Sequence, residues 1–147
     1  MIKTGIFTGS FDPFTIGHAD IVRRALPLFD RLVIGVVQDN VHKVHAASAA
    51  ERRQVIQAHY AQEPRVQVKV YDDLAVDFAR REGARFIIKG VRSVKDYEYE
   101  REMAEINRRL NGTETILFLA DPALAHISSS MVRELQHYGK DITPYLP

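Results

Sequence analysis

Apolar and polar positions along the chain alternate between two periods, and that alternation predicts the order of elements. Residues 2 to 8 (Ile-Lys-Thr-Gly-Ile-Phe-Thr) form a short β-rich run that stops at Gly9. From Gly17 onward Ile21, Val22, Ala25, Leu26 and Phe29 recur at helical spacing, which predicts a helix. Pro27 predicts that this helix bends or frays in its last turn. Residues 32 to 37 (Leu-Val-Ile-Gly-Val-Val) are an unbroken apolar run, as expected of a strand covered on both faces.

The same reading continues to the C-terminus. Ser48 with Glu51 three residues on is a capping-box pattern, opening a helix to about His59. Residues 66 to 70 alternate like a strand, 74 to 81 read as a helix ended near Gly83, and 86 to 88 as a fourth strand. A long charged helix is predicted over 96 to 110, stopped by Asn111-Gly112. A fifth strand follows over 116 to 119, then a last helix from Ser130 to about Tyr138, closed by Gly139. Strand–helix alternation of this kind predicts an α/β fold, a doubly wound five-stranded parallel sheet with helices on both faces. With 147 residues and no linker or repeat, the chain reads as a single domain over 1–147.

Composition then narrows the chemistry. Twenty basic and 19 acidic residues leave a net charge of +1, which argues against the broad basic face that nucleic-acid binding requires. The absence of cysteine excludes disulfides, thiolate zinc sites and thiol nucleophiles. No apolar run approaches the roughly 20 residues of a membrane span. The first residues lack the apolar core and cleavage site of a signal peptide, so a cytoplasmic location is expected.

In open α/β sheets ligands bind beyond the carboxyl ends of the strands, so the loop after Thr8 is the first candidate site. It reads Gly9-Ser10-Phe11-Asp12-Pro13-Phe14-Thr15-Ile16-Gly17-His18. Gly9 permits close approach of a ligand to the backbone, and Ser10 offers a hydroxyl. Gly17 and His18 fall at a helix start, where unpaired N–H groups favour an anion. A Gly-His pair at a helix start is by itself more often simple capping. The longer pattern carries more weight: Thr15-x-Gly17-His18 after Gly-Ser-Phe-Asp-Pro resembles the signature of nucleotidyltransferases with a (His/Thr)-x-Gly-His motif.

Two further segments, 88 to 100 (Ile-Lys-Gly-Val-Arg-Ser-Val-Lys-Asp-Tyr-Glu-Tyr-Glu) and 127 to 134 (Ile-Ser-Ser-Ser-Met-Val-Arg-Glu), extend the likeness. With the first motif they resemble the phosphopantetheine adenylyltransferase family from Thr4 to about Leu146. The resemblance implies a Rossmann-like nucleotidyltransferase fold. It also implies transfer of the adenylyl group of ATP to 4′-phosphopantetheine, giving dephospho-CoA and pyrophosphate by in-line attack without a covalent enzyme intermediate.

Residue roles follow from the same resemblance. His18, Lys43 and Arg92 are expected to be catalytic. Gly9, Ser10, Phe11, His18, Gly90, Val91, Arg92, Glu100, Ile127, Ser128, Ser129 and Ser130 are expected to bind ATP. Ser10, Lys43, Leu74, Ala75 and Lys89 are expected to bind the acceptor. Magnesium is expected on the ATP phosphates, with no protein residue as a metal ligand. A homohexamer and feedback by coenzyme A are further family expectations.

Two departures from the family pattern stand out. Lys89 replaces the usual arginine, keeping the charge but losing the planar fork. The stretch His42-Lys43-Val44-His45 stands where a Lys-Lys-Pro-like run is usual. The bland readings are also definite: His42 and His45 as solvated loop residues, Arg80, Arg81 and Arg85 as surface residues, and the serines before Met131 as a helix cap. Two rival functions remain at this level. One is a nucleotidyltransferase acting on another phosphate acceptor, which segment 89–100 disfavours. The other is a non-catalytic nucleotide-binding protein, which would have no need of His18, Lys43 and Arg92 together.

Overall fold

The computed structural model describes residues 1–38 and 44–147. Five parallel strands form one sheet: β1 (Thr4–Gly9), β2 (Arg31–Val37), β3 (Val66–Tyr71), β4 (Phe86–Val91) and β5 (Glu114–Leu119). The helices between and after them are α1 (Ile16–Ala25), α2 (Ala49–His59), α3 (Ala75–Arg81), α4 (Val94–Asn111) and α5 (Ser129–His137).

Strand order is β3-β2-β1-β4-β5. The chain therefore builds outward from β1 in one direction, then returns to the other side of β1 with β4. That reversal makes the crevice between the carboxyl ends of β1 and β4 the topological switch point.

Period-two alternation in the central strands serves two cores. On one face Phe7, Ile34 and Ile88 pack with Ile21, Val22 and Ala25 of α1 and Ile56 of α2. On the other, Ile6, Val33 and Ile87 pack with Val76, Phe78 and Ala79 of α3. This double burial is why β1, β2 and β4 are apolar on both sides.

The boundaries differ from the sequence expectation in physically explicable ways. β1 begins at Thr4, because Ile2 is exposed and Lys3 donates its N–H to the Asp30 carboxylate at 2.7 Å. β4 runs past Ile88 to Val91, since Lys89, Gly90 and Val91 pair with Leu117, Phe118 and Leu119 of β5. α4 starts at Val94, where the Ser93 hydroxyl accepts from Asp96 N–H. α1 ends at Ala25 and Pro27 sits in a 3-10 turn over Leu26–Leu28, as a proline at that point requires.

The Ser48 cap forms on one side only. Its hydroxyl accepts from Glu51 N–H at 3.1 Å and donates to the Glu51 carboxylate at 3.0 Å. The Glu51 carboxylate thus meets the Ser48 hydroxyl and not the Ser48 amide, so half of the expected box is made.

Candidate active site

The complete capping box lies at α1 instead. His18 N–H donates to Thr15 Oγ1 at 3.4 Å, and Thr15 N–H donates to His18 Nδ1 at 2.9 Å. Glutamate or glutamine ordinarily makes the second bond; here an imidazole makes it. A backbone N–H can only donate, so Nδ1 must accept, and the ring hydrogen resides on Nε2. The ring is held against Phe11 edge-on at 5.0 Å and Phe14 stacked at 5.3 Å between centroids.

His18 lines a cleft of about 280 Å³ at the switch point. Its walls are the end of β1 and its loop (Gly9, Ser10, Phe11), the end of β4 (Lys89, Gly90, Arg92), the first turns of α4 (Asp96, Glu100) and the start of α5 (Ile127, Ser128, Ser129, Ser130). The N-termini of α1 and α5 open onto this cleft, so the positive ends of two dipoles face one space, while α4 runs along a wall through Asp96 and Glu100. The arrangement suits a polyanion.

The basic residues are held in place. Lys89 Nζ donates to Thr8 O at 3.2 Å, bridging β4 to β1. Arg92 sends Nε to Asp96 Oδ2 at 3.2 Å, and the same oxygen accepts Arg92 N–H at 3.1 Å. Asp20, also in the wall, pairs with Arg23 at 2.7 Å and Arg24 at 3.3 Å. Burial alone would raise its carboxyl, but the hydrogen bonds and charges of the two arginines outweigh that and hold it below its ordinary value. Asp20 therefore stays ionised and compensated.

Of the expected nucleotide residues all but Val91 meet in this cleft, while the expected acceptor residues are more dispersed. Val91 is buried outside its wall, with its carbonyl accepting from Ala120 N–H at 2.9 Å. Leu74, at the N-cap of α3, is exposed and Ala75 half-buried; both lie at the carboxyl end of β3 and outside the cleft wall. Lys43 and His42 lie outside the described residues. Gly9 serves a neighbour as well as the cleft: a Cβ there would lie 3.1 Å from Phe11 Cζ. The space above the glycine is taken by that ring.

Sequence reasoning passed over Asp20, Asp96, Asp121 and Arg133, all in the cleft wall. Arg133 stood inside the quoted 127 to 134 motif, three residues after Ser130, which was the available signal. Its Nη1 donates to Asp12 O at 2.5 Å. The serines of the same motif divide their work. The Ser128 hydroxyl caps α5 by accepting from Met131 N–H, and Ser129 Oγ donates to Pro13 O at 2.8 Å. What they offer a ligand is backbone N–H groups.

The cytidylyltransferase-like family model matches residues 6–135. The phosphopantetheine adenylyltransferase of Phocaeicola vulgatus is 49% identical over 146 residues, covering 99% of this chain and 96% of its own. The chain belongs to the phosphopantetheine adenylyltransferase family. The enzyme of that name from Bacteroides fragilis is 47% identical, covering 99% of this chain and 97% of its own. The one from Porphyromonas gingivalis is 46% identical over 142 residues, covering 97% and 92%.

Solved structures place the fold in wider company. A bifunctional NMN adenylyltransferase/ADP ribose pyrophosphatase from Francisella tularensis, complexed with AMP and a manganese ion, superposes with a TM-score of 0.72 at 15% identity. It covers 99% of this chain and 44% of that one. A lipopolysaccharide core biosynthesis protein from Thermoplasma volcanium reaches 0.61 at 20% identity, covering 82% and 98%. At these identities the likeness is one of fold.

Proposed function

We propose that this chain transfers the adenylyl group of ATP to 4′-phosphopantetheine, forming dephospho-CoA and releasing pyrophosphate. The observation that carries the reading is the His18 imidazole, locked by Thr15 with its N–H on Nε2, in a cleft where the N-termini of α1 and α5 meet. Membership of the family supplies the acceptor.

In the step itself an oxygen of the acceptor phosphate attacks the α-phosphorus of ATP. The new P–O bond forms as the bond to the bridging oxygen of pyrophosphate breaks, and the leaving group takes that electron pair. Such a transfer depends on alignment and on neutralising charge that develops on the phosphoryl oxygens. His18 Nε2–H donates to an α-phosphate oxygen. Arg92 takes the β- or γ-phosphate, with Asp96 holding its Nε so that the terminal nitrogens remain to reach the ligand. The amides at Ser10, Gly90 and Ser128–Ser130 line the triphosphate, and Glu100 meets the ribose or base side.

Lys89 and Lys43 orient the acceptor phosphate, and Leu74 and Ala75 meet the pantetheine arm along the same edge of the sheet. Magnesium comes with ATP and neutralises phosphate charge. The acids Asp96, Glu100 and Asp121 in the cleft wall suit it as acceptors for the ion's waters.

Assembly as a homohexamer and feedback by coenzyme A at the same cleft complete the proposal, with the cytoplasm as its setting. Support for assembly comes from α4, which buries none of its residues fully and exposes Val94, Tyr97, Tyr99, Ile106 and Leu110. Among the described residues no helix is long and apolar enough to cross a membrane.

Pyrophosphate release from ATP and magnesium tests the reaction, with 4′-phosphopantetheine compared against nicotinamide mononucleotide, glycerol 3-phosphate and no acceptor. Release with phosphopantetheine alone is the expected result. Release with another acceptor would keep the His18 chemistry and overturn the substrate. Sedimentation velocity gives the assembly state, and a monomer at micromolar concentration would remove the hexamer.

A further inference from the structure

The loop that follows β1 adopts a backbone its own sequence disfavours. Phe11 has φ 51°, a left-handed conformation uncommon for a bulky residue and sustained only where the surroundings over-determine it. Those surroundings are visible. Ala46 N–H donates to the buried Asp12 carboxylate at 2.7 Å, while Arg133 and Ser129 hold the carbonyls of Asp12 and Pro13 from α5. Arg52 Nη1 donates to Ser10 O at 2.6 Å.

Arg52 is the unusual member of this set. It sits in the first turn of α2, yet only 3% of its surface is exposed. Its guanidinium also reaches Val37 O at 3.0 Å, Gln38 O at 3.3 Å and, through Nε, Ala47 O at 3.0 Å. One planar group therefore joins the phosphate-facing loop after β1 to the carboxyl end of β2 and to the approach to α2. Burying a guanidinium carries a desolvation penalty, offset here by donation to four backbone carbonyls that an apolar side chain would deprive of this donor. What the fork adds is fixed geometry, directed at the residue that lines the cleft beside Gly9.

We propose that Arg52 is a positioning residue for adenylyl transfer, setting Ser10 and its loop relative to the end of β2. The inference rests on the reaction proposed above. Arg52 acts through Ser10 and the ends of the strands. Its loss therefore misaligns the bound substrates and lowers kcat more than it weakens ATP, because small misplacements are amplified in the transition state.

The test compares wild type with Arg52→Lys, which keeps charge and reach but loses the fork, and with Arg52→Gln, which loses the charge and keeps two N–H donors on a shorter side chain. Steady-state pyrophosphate release is normalised to the folded fraction from circular dichroism. The expected result is a fall in kcat of about tenfold or more for Arg52→Lys, with the KM for ATP within about threefold of wild type. Arg52→Gln should fall at least as far. An active wild type with either folded variant turning over at the same kcat, whatever its Tm, overturns the inference and leaves Arg52 a structural staple. An inactive wild type overturns the adenylyl-transfer reading and this inference with it.

Discussion

Thr15 donates its backbone N–H to Nδ1 of His18 at 2.9 Å, so the bond that starts α1 also sets the tautomer of the imidazole in the cleft. Local helix initiation and site chemistry are one interaction here. A glutamate at position 18 would cap the helix equally well and present an anion to the phosphates; a histidine caps it and presents a donor.

His18→Ala removes that donor. Turnover should fall by about 10²–10³-fold, the range seen when one oxyanion donor is lost, while the dissociation constant for ATP changes little. Single-turnover kinetics alongside calorimetric ATP titration separate the two. Turnover near wild type would remove His18 from the transition state.

Lys89 bridges Thr8 O to the cleft as a point charge. Lys89→Arg should keep activity within a few-fold and lower the KM for the acceptor, since a fork can grip a phosphate bidentately. Lys89→Ala should raise that KM. Acceptor titration at saturating ATP reads both, and a collapse of kcat in Lys89→Arg would mean that the lysine serves more than charge.

Glu82 provides a pH-dependent contribution to stability away from the cleft. It receives Arg31 at 2.6 Å and Lys69 at 2.8 Å. Burial would raise its carboxyl, but the hydrogen bonds and charges of Lys69 and Arg31 more than offset this and hold it below the usual 4.5. A depressed folded pKa means stabilisation that is present above the unfolded value and lost as pH falls through the folded one. Glu82→Gln should therefore cost about 1 kcal/mol at pH 7, discounted for the exposure of its partners. Urea melts at neutral and acid pH should show the gap closing in acid; a gap that persists would assign the effect to packing.

Gly35 in β2 has no room for a side chain. A Cβ would lie 2.5 Å from Phe78 Cε2 and 3.2 Å from Tyr71 Cδ1, and those two rings stack at 4.7 Å. Gly35→Ala should destabilise by about 1–3 kcal/mol, the usual range for an overpacked core. A lowered denaturation midpoint with unchanged kcat is expected, because the clash is on the α3 face of the sheet and away from His18.

Much of the site was legible because its signals are local. The helix-starting Thr15-x-Gly17-His18 pattern, the serines that start α5 and Gly90 near the end of β4 each lie within a few residues of the element end that brings them to the cleft. The pieces that escaped depend on distant partners. Arg52 and Arg53 are adjacent and chemically alike in sequence, yet Arg52 is buried among four carbonyls while Arg53 turns to Val68 O at 2.9 Å. Lys89 and Gly90 interrupt the apolar run of β4, and only their pairing with β5 keeps them in the strand.

The chain's own periodicity determined the order of strands and helices, because burial on two faces demands apolar residues on both sides of β1, β2 and β4. Tertiary structure alone decided that β4 would lie beside β1. That placement brings the ends of α1 and α5 and the flank of α4 onto one cleft and converges Arg52, Arg133 and Ser129 on a single loop. Hydrogen bonds spanning 42 to 121 residues leave no periodic trace in the sequence, because their partners become neighbours only once the sheet has formed.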